Sequence, residues 1–182
     1  MEIFRHGSID STNTECFRQF DRGQQVPFLV IVETQTQGRG QFGRTWYSAD
    51  AKNLYMSFGF VPHQSPREFQ NFSIVVAEKI ANRLGQIFNL TFTVKSPNDI
   101  YFGGKKLCGI LTESRIANGH ITFAVTGIGL NVAGDLSKFP EGLRMTATTL
   151  SNCCEKEISC SEMEVVVAEV MGNLLQWSDL ME

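Results

Sequence analysis

Basic residues are not in excess in this 182-residue chain: 16 Lys and Arg stand against 19 Asp and Glu, for a net charge of −3 and a pI near 5.7. A protein that lives on a nucleic-acid backbone usually carries a basic surplus, so no nucleic-acid partner is expected. No apolar run approaches the roughly 20 residues needed to span a bilayer, and the opening residues 1–6 lack a signal-peptide core. No membrane association is expected, and a cytoplasmic location follows. Cysteine is sparse and odd in number: Cys16, Cys108, Cys153, Cys154 and Cys160 include no C-x-x-C pair. That pattern fits reduced thiols better than a disulfide framework, and the spacing matches no zinc pattern. The three histidines, His6, His63 and His120, are isolated and form no catalytic cluster. Internal repeats, linkers and low-complexity tracts are also missing, so a single domain over residues 1–182 is expected.

What is present reads as a mixed α and β chain. Ile3 and Phe4 suggest a short opening strand. Thr12 and Glu15 have capping-box spacing, so a helix should start near Asp10–Asn13 and end near Gly23. The run Phe28–Val32 reads as a buried strand that delivers Gln35 to its end, and residues 53–60 alternate as a second strand. Residues 66–84 carry a helical stripe through Phe69, Phe72, Val75 or Val76, Ile80 and Leu84. Residues 90–94 read as a strand broken at 95–99. Gly103-Gly104 and Asn118-Gly119 mark hairpin turns in an antiparallel meander that runs on to Asn131. A loop-rich stretch with one helical turn near residues 148–150 precedes a last helix from Ser161, with Val165, Val166, Val170, Leu174 and Leu175 available for burial.

Two stretches are not explained by scaffold. Residues 35–48 hold Gly38, Gly40 and Gly43 interleaved with Arg39 and Arg44, so no regular helix or strand is expected there. The guanidinium forks suit carboxylate or phosphate, and the residues alone leave open an anion grip or a solvated surface loop. In the meander, Gly109 and the pair Gly127 and Gly129 interrupt strands where side chains would help packing, and Lys106 stands close by. Such glycines mark either bulges or a channel cleared for a ligand.

Taken together, these residues resemble one family. Ser11-Thr12-Asn13, Gln35, the run from Gly38 through Arg39, Gly40, Gly43 and Arg44 to Trp46, then Lys95-x-Pro97-Asn98-Asp99, Lys106-Leu107-x-Gly109-Ile110-Leu111 and Gly127-x-Gly129-x-Asn131 stand in the order seen in biotin protein ligases. The resemblance implies an α+β fold, a mixed and largely antiparallel sheet with packed helices, similar to the class II aminoacyl-tRNA synthetase core. It implies ATP-dependent formation of biotinyl-AMP and transfer of biotin to a lysine of a carboxylase biotin carrier domain, with Mg²⁺ accompanying ATP. Lipoate or octanoate ligation, or biotin binding without catalysis, are the alternatives. By the same resemblance Lys106 and Arg39 are catalytic. Ser11, Thr12, Asn13, Gln35, Gly38, Gly40, Gln41, Gly109, Gly127 and Gly129 join them around biotin, and Trp46, Asn98, Asp99 and Asn131 lie on the nucleotide side. Residues 35–48 become a lid over the adenylate, metal ligands stay unassigned, and a homodimer is consistent with the family.

The chain departs from that pattern. The family's Gly-Arg-Gly-Arg-Arg-Gly loop has Gln41 and Phe42 where two arginines are usual, and Ser96 replaces a tryptophan. Neither an N-terminal DNA-binding domain nor a C-terminal β-barrel domain is expected.

Overall fold

The computed structural model describes residues 1–48 and 50–175. Seven strands form one sheet: β1 (Glu2–Ile9), β2 (Phe28–Gln35), β3 (Leu54–Phe60), β4 (Thr93–Lys95), β5 (Asp99–Phe102), β6 (Lys105–Ala117) and β7 (His120–Leu130), in the order β1-β2-β3-β7-β6-β5-β4. The β1–β2 pair is parallel, and the remaining neighbours are antiparallel. Among the described residues six α-helices accompany them: α1 (Thr12–Asp21), α2 (Pro66–Phe69), α3 (Phe72–Phe88), α4 (Glu141–Arg144), α5 (Leu150–Cys154) and α6 (Cys160–Leu175). The expected α+β class with a largely antiparallel sheet is therefore the class observed. No helix among the described residues is long and apolar enough to cross a membrane.

The period-2 pattern of the strands explains how the sheet is covered. On one face Leu29, Ile31, Leu54, Met56, Phe58 and Phe60 join Val76, Ile80 and Leu84 of α3 and Met163, Val167 and Met171 of α6 in the main core. On the other, Phe28, Val30, Phe123 and Val125 pack with Cys16, Phe17 and Phe20 of α1. Both faces of β3 are covered, which is why a strand that alternates in sequence is buried at every position.

Several local expectations are corrected. The short strand foreseen at Ile3 and Phe4 extends over eight residues, because pairing with β2 carries its polar edge positions along. Ser11, not Thr12, is the N-cap of α1, and it makes no side-chain cap bond; Glu15 bonds Gln19 and Arg18 instead of closing a capping box. The helix foreseen at 66–84 is two helices, a single capped turn started by Ser65 and Glu68 and then α3, with Val76 buried and Val75 exposed. The strand foreseen at 90–94 is confined to β4. For the last helix the capping residue is Ser159, whose Oγ accepts from the Glu162 N–H at 3.2 Å, and Val165 faces solvent. Both hairpin turns stand where foreseen: Gly103, Gly104, Asn118 and Gly119 all have positive φ.

Asn53 ties β3 to the segment after β7. Its Oδ1 accepts from Val132 N–H at 2.9 Å and Gly134 N–H at 3.0 Å, and the residue is 2% exposed. Asn53→Ala leaves two buried N–H groups without partners, and chemical denaturation should show a loss of about 3 kcal/mol.

Candidate functional site

Site residues gather on the α1 face of the sheet around a cavity of about 350 Å³. The path of β6 decides which of its side chains reach it. Asp99 pairs with Gly109 and Ile100 with Cys108, but Tyr101 pairs with Lys106, so Leu107 is an extra residue in β6. This bulge reverses the side-chain alternation. Leu107 and Cys108 both enter the core, and Lys106 is turned to the cavity instead of the core. Its backbone is pinned by Lys106 N–H to Thr146 O at 2.7 Å and Thr148 N–H to Lys106 O at 2.9 Å. The ammonium lies 2.8 Å from Asp99 Oδ2 and 5.2 Å from the centroid of the Trp46 ring.

At the other end, α1 begins directly after β1 and presents its first residues to the cavity. Arg18 grips Asp10 with both guanidinium nitrogens, at 2.6 and 2.8 Å, and Asp10 Oδ1 accepts the Ser11 N–H at 2.8 Å. The Arg18 hydrogen bonds hold the Asp10 carboxyl below its usual range. Thr12 N–H donates to Gln35 Oε1 at 2.8 Å, and Gln35 Nε2 donates to Ser48 Oγ at 2.8 Å. Asn13 Nδ2 donates to Leu111 O at 3.2 Å and Glu113 Oε2 at 2.8 Å, and the same carboxylate oxygen receives Arg39 Nη2 at 2.8 Å. Glu113 and Ser57, which reach these groups from distant strands, and Ser48, which closes the end of the 35–48 stretch on Gln35, were not singled out by sequence reasoning. No local motif marks them.

Residues 35–48 are more regular than expected. Arg39 and Thr45 form an antiparallel bridge, Gly40 N–H donates to Arg44 O at 2.7 Å, and residues 41–43 make a 3-10 turn with Phe42 at φ 57°. The tip is thus a small hairpin whose Phe42 ring is 86% exposed.

The glycines are close-approach sites, and what approaches them is the chain itself. Gly109 and Gly129 are register partners beneath the Trp46 indole, where a Cβ on Gly109 would lie 2.8 Å from Cζ3 and one on Gly129 2.5 Å from Nε1. Gly127 gives room to the Asn13 amide, and Gly38 to the Trp46 carbonyl and Ser48 hydroxyl. The strip, which the residues alone left open as bulges or a ligand channel, is the seat of Trp46 and Asn13, and Gly109, Gly127 and Gly129 also line the cavity. Asn98 and Asn131 commit their amide donors to Ile110 O at 2.6 Å and Thr148 O at 3.1 Å, so both brace the backbone beside Lys106.

Three buried polar atoms on cavity-lining residues have no partner: Gln41 Oε1, Trp46 Nε1 and Asp99 Oδ1. Burying polar groups unpaired is costly, so such atoms point to a polar ligand. Burial and the neighbouring Asp99 push the Tyr101 hydroxyl above its usual pKa. Among the described residues no group of three or more His, Cys, Asp or Glu converges to hold a metal ion.

Residues 7–131 match the model of the biotin/lipoate A/B protein ligase family. The chain belongs to that family. Within it, the chain is 28% identical over 156 residues to the bifunctional ligase/repressor BirA of Bacillus subtilis, covering 86% of this chain and 48% of that protein. To the BirA of Escherichia coli it is 37% identical over 125 residues, covering 69% of this chain and 39% of the relative. The chain thus spans half or less of the length of these curated relatives. A biotin protein ligase from Aquifex aeolicus, solved with biotin and ATP, superposes with a TM-score of 0.76 at 29% identity, covering 96% of this chain and 70% of that one. The fold of this family member is therefore that of the biotin protein ligases.

Proposed function

We propose that the chain is an ATP-dependent biotin ligase, forming biotinyl-AMP and passing the biotinyl group to a lysine of a carboxylase's biotin carrier domain. The observation that carries this is the placing of Lys106 by the β6 bulge. The ammonium faces the same cavity as Ser11, Thr12, Asn13 and Gln35, and Leu111 at the Asn13 end lies five positions from it along β6. One of those positions is the bulge residue, so the separation is about four strand rises of about 3.3 Å, which suits an elongated acid with a polar head and a distant carboxylate. Similarity to proteins named as biotin ligases supports the same reading.

In this account the head of biotin lies against the hydroxyls and amides at the start of α1. Its carboxylate and the α-phosphate of ATP repel each other until a cation stands between them. Lys106, released from Asp99, supplies that cation as the carboxylate oxygen attacks phosphorus and pyrophosphate leaves. Arg39, released from Glu113, adds a second positive charge from the loop, and residues 35–48 shield the mixed anhydride from water. A carrier lysine amine then attacks the acyl carbon and AMP departs. Trp46 offers the adenine a flat face beside Lys106, with Asn98 and Asn131 bracing that end. Mg²⁺ accompanying ATP would supply charge neutralisation of the phosphate oxygens, and among the cavity residues the Asp99 carboxylate, whose Oδ1 has no partner, would be the group to hold it.

Pyrophosphate exchange into ATP, run separately with biotin, lipoate and octanoate, tests the proposal. Exchange with biotin alone is expected. No exchange with any acid contradicts ligase activity, and exchange confined to lipoate or octanoate moves the substrate to that branch. Gln41 offers a further test, since its amide stands where the family motif carries a charge. Gln41→Arg should slow release of preformed biotinyl-adenylate about tenfold, as one charge-assisted bond to phosphate would; single-turnover trapping measures it.

The partners of the proposal are biotin, ATP and the carrier domain. A homodimer would form by pairing of β1, an edge strand of the sheet, with its copy in a second chain, and sedimentation detects it.

A further inference from the structure

Ser57 lies on β3 beneath the start of α1, is wholly buried, and is not part of the cavity wall. Its Oγ is 2.7 Å from Asn13 Oδ1 and 2.6 Å from Thr12 Oγ1. A serine hydroxyl has one proton, so at most one of these contacts uses it. Which one follows from the chemistry of the neighbours. Asn13 must direct its NH₂ to Leu111 O, a carbonyl that only accepts, so its Oδ1 faces Ser57 and can only accept in turn. The Ser57 proton therefore goes to Asn13. Thr12 Oγ1 has two acceptors in reach, Gln35 Oε1 at 3.2 Å and Ser57 Oγ at 2.6 Å, and the shorter contact is a hydrogen bond only if Thr12 donates to Ser57, which leaves Thr12 lone pairs facing the cavity.

We propose that Ser57 is a positioning residue that fixes the Thr12 hydroxyl as an acceptor, so that the head subsite takes a ring atom bearing an N–H and rejects one that offers lone pairs. The proposal rests on the biotin reading of this subsite, since the urea ring of biotin carries two such N–H groups. A Thr12 hydroxyl that turned round to donate to a ligand oxygen would leave two oxygens 2.6 Å apart with no proton between them. Ser57 thus enforces a preference without touching the ligand.

The test compares binding of biotin and of its two cyclic-carbamate analogues, each with one urea N–H replaced by oxygen, to the full chain by titration calorimetry. The unmodified chain should bind one of the carbamates about 30-fold more weakly than biotin, a penalty of the size expected when a hydrogen bond becomes a lone-pair clash. In Ser57→Ala the Thr12 hydroxyl keeps only the longer 3.2 Å contact to Gln35 Oε1, a weaker hold that a ligand oxygen can displace, and the preference should narrow to about threefold or less. Thermal melting reports whether that variant folds. Ser57→Cys, close in size with a weaker donor, should show an intermediate preference and serves if Ser57→Ala does not fold. A purely structural role predicts equal weakening for all three ligands, leaving the preference intact, and that result overturns the proposal. An unmodified chain that binds biotin and both carbamates alike overturns the role of Ser57 alone. One that binds none of them overturns the biotin reading with it.

Discussion

Lys106→Ala is expected to lower biotin-dependent pyrophosphate exchange by about 100- to 1000-fold, the usual cost of losing one preorganised charge contact in a transition state. The fold should survive the change. The Lys106 and Asp99 side chains are 32% and 17% exposed and both line the cavity, so water entering it can replace much of what the ion pair contributes when the ammonium is removed. What holds this part of β6 is its backbone, bonded to Thr146 and Thr148. Thermal melting should accordingly move little while exchange collapses. Lys106→Arg retains charge but replaces a compact ammonium with a planar fork, and should recover only part of the rate. Exchange that is unchanged in Lys106→Ala would remove the residue from the mechanism.

Gly129→Val should have the next largest effect, and on a specific step. A Cβ at this position would lie 2.5 Å from two atoms of the Trp46 indole, so the ring must leave its seat. If the ring is the platform for adenine, ATP affinity should fall about 10- to 100-fold, the range for losing an aromatic stacking surface. Crowding of the packed strands should also cost about 1–3 kcal/mol in stability. Calorimetric titration with ATP and with biotin separates two roles for the glycine. A selective loss of ATP affinity supports the seat of Trp46, and a selective loss of biotin affinity restores the open channel.

The parts of the fold legible in the sequence were those specified by neighbouring residues. Gly103-Gly104 and Asn118-Gly119 need positive φ and announced their turns, and the apolar run at 28–32 announced a strand buried on both faces. The α3 stripe was read with Val75 and Val76 unresolved, because periodicity alone does not set the rotation of a helix by one residue; packing against β6 and α6 chose Val76. Capping was misplaced at α1 because Thr12 and Glu15 have the right spacing but are engaged elsewhere, by Ser57 and Gln35 in one case and by Arg18 and Gln19 in the other.

The candidate site was legible as a set of residues and not as an arrangement. The glycines at 109, 127 and 129 signalled close approach, but nothing near them in sequence says that Trp46 and Asn13 are what approach. Lys106 was found, yet its direction depends on a bulge at Leu107 that arises from register with β5. Glu113 and Ser57 escaped notice since each acts on a residue supplied by another part of the chain, and Ser48 because its bond to Gln35 closes the two ends of the 35–48 stretch, which spacing alone does not show.

The central claim is that Lys106 of this chain promotes biotin activation for transfer to protein. Intact-mass spectrometry of a biotin carrier domain, incubated with ATP, biotin and either the unmodified chain or Lys106→Ala, tests it most directly. The account predicts one added biotinyl group per carrier with the unmodified chain and none over the same period with the variant. A carrier left unmodified by the first, or modified equally by both, would contradict it.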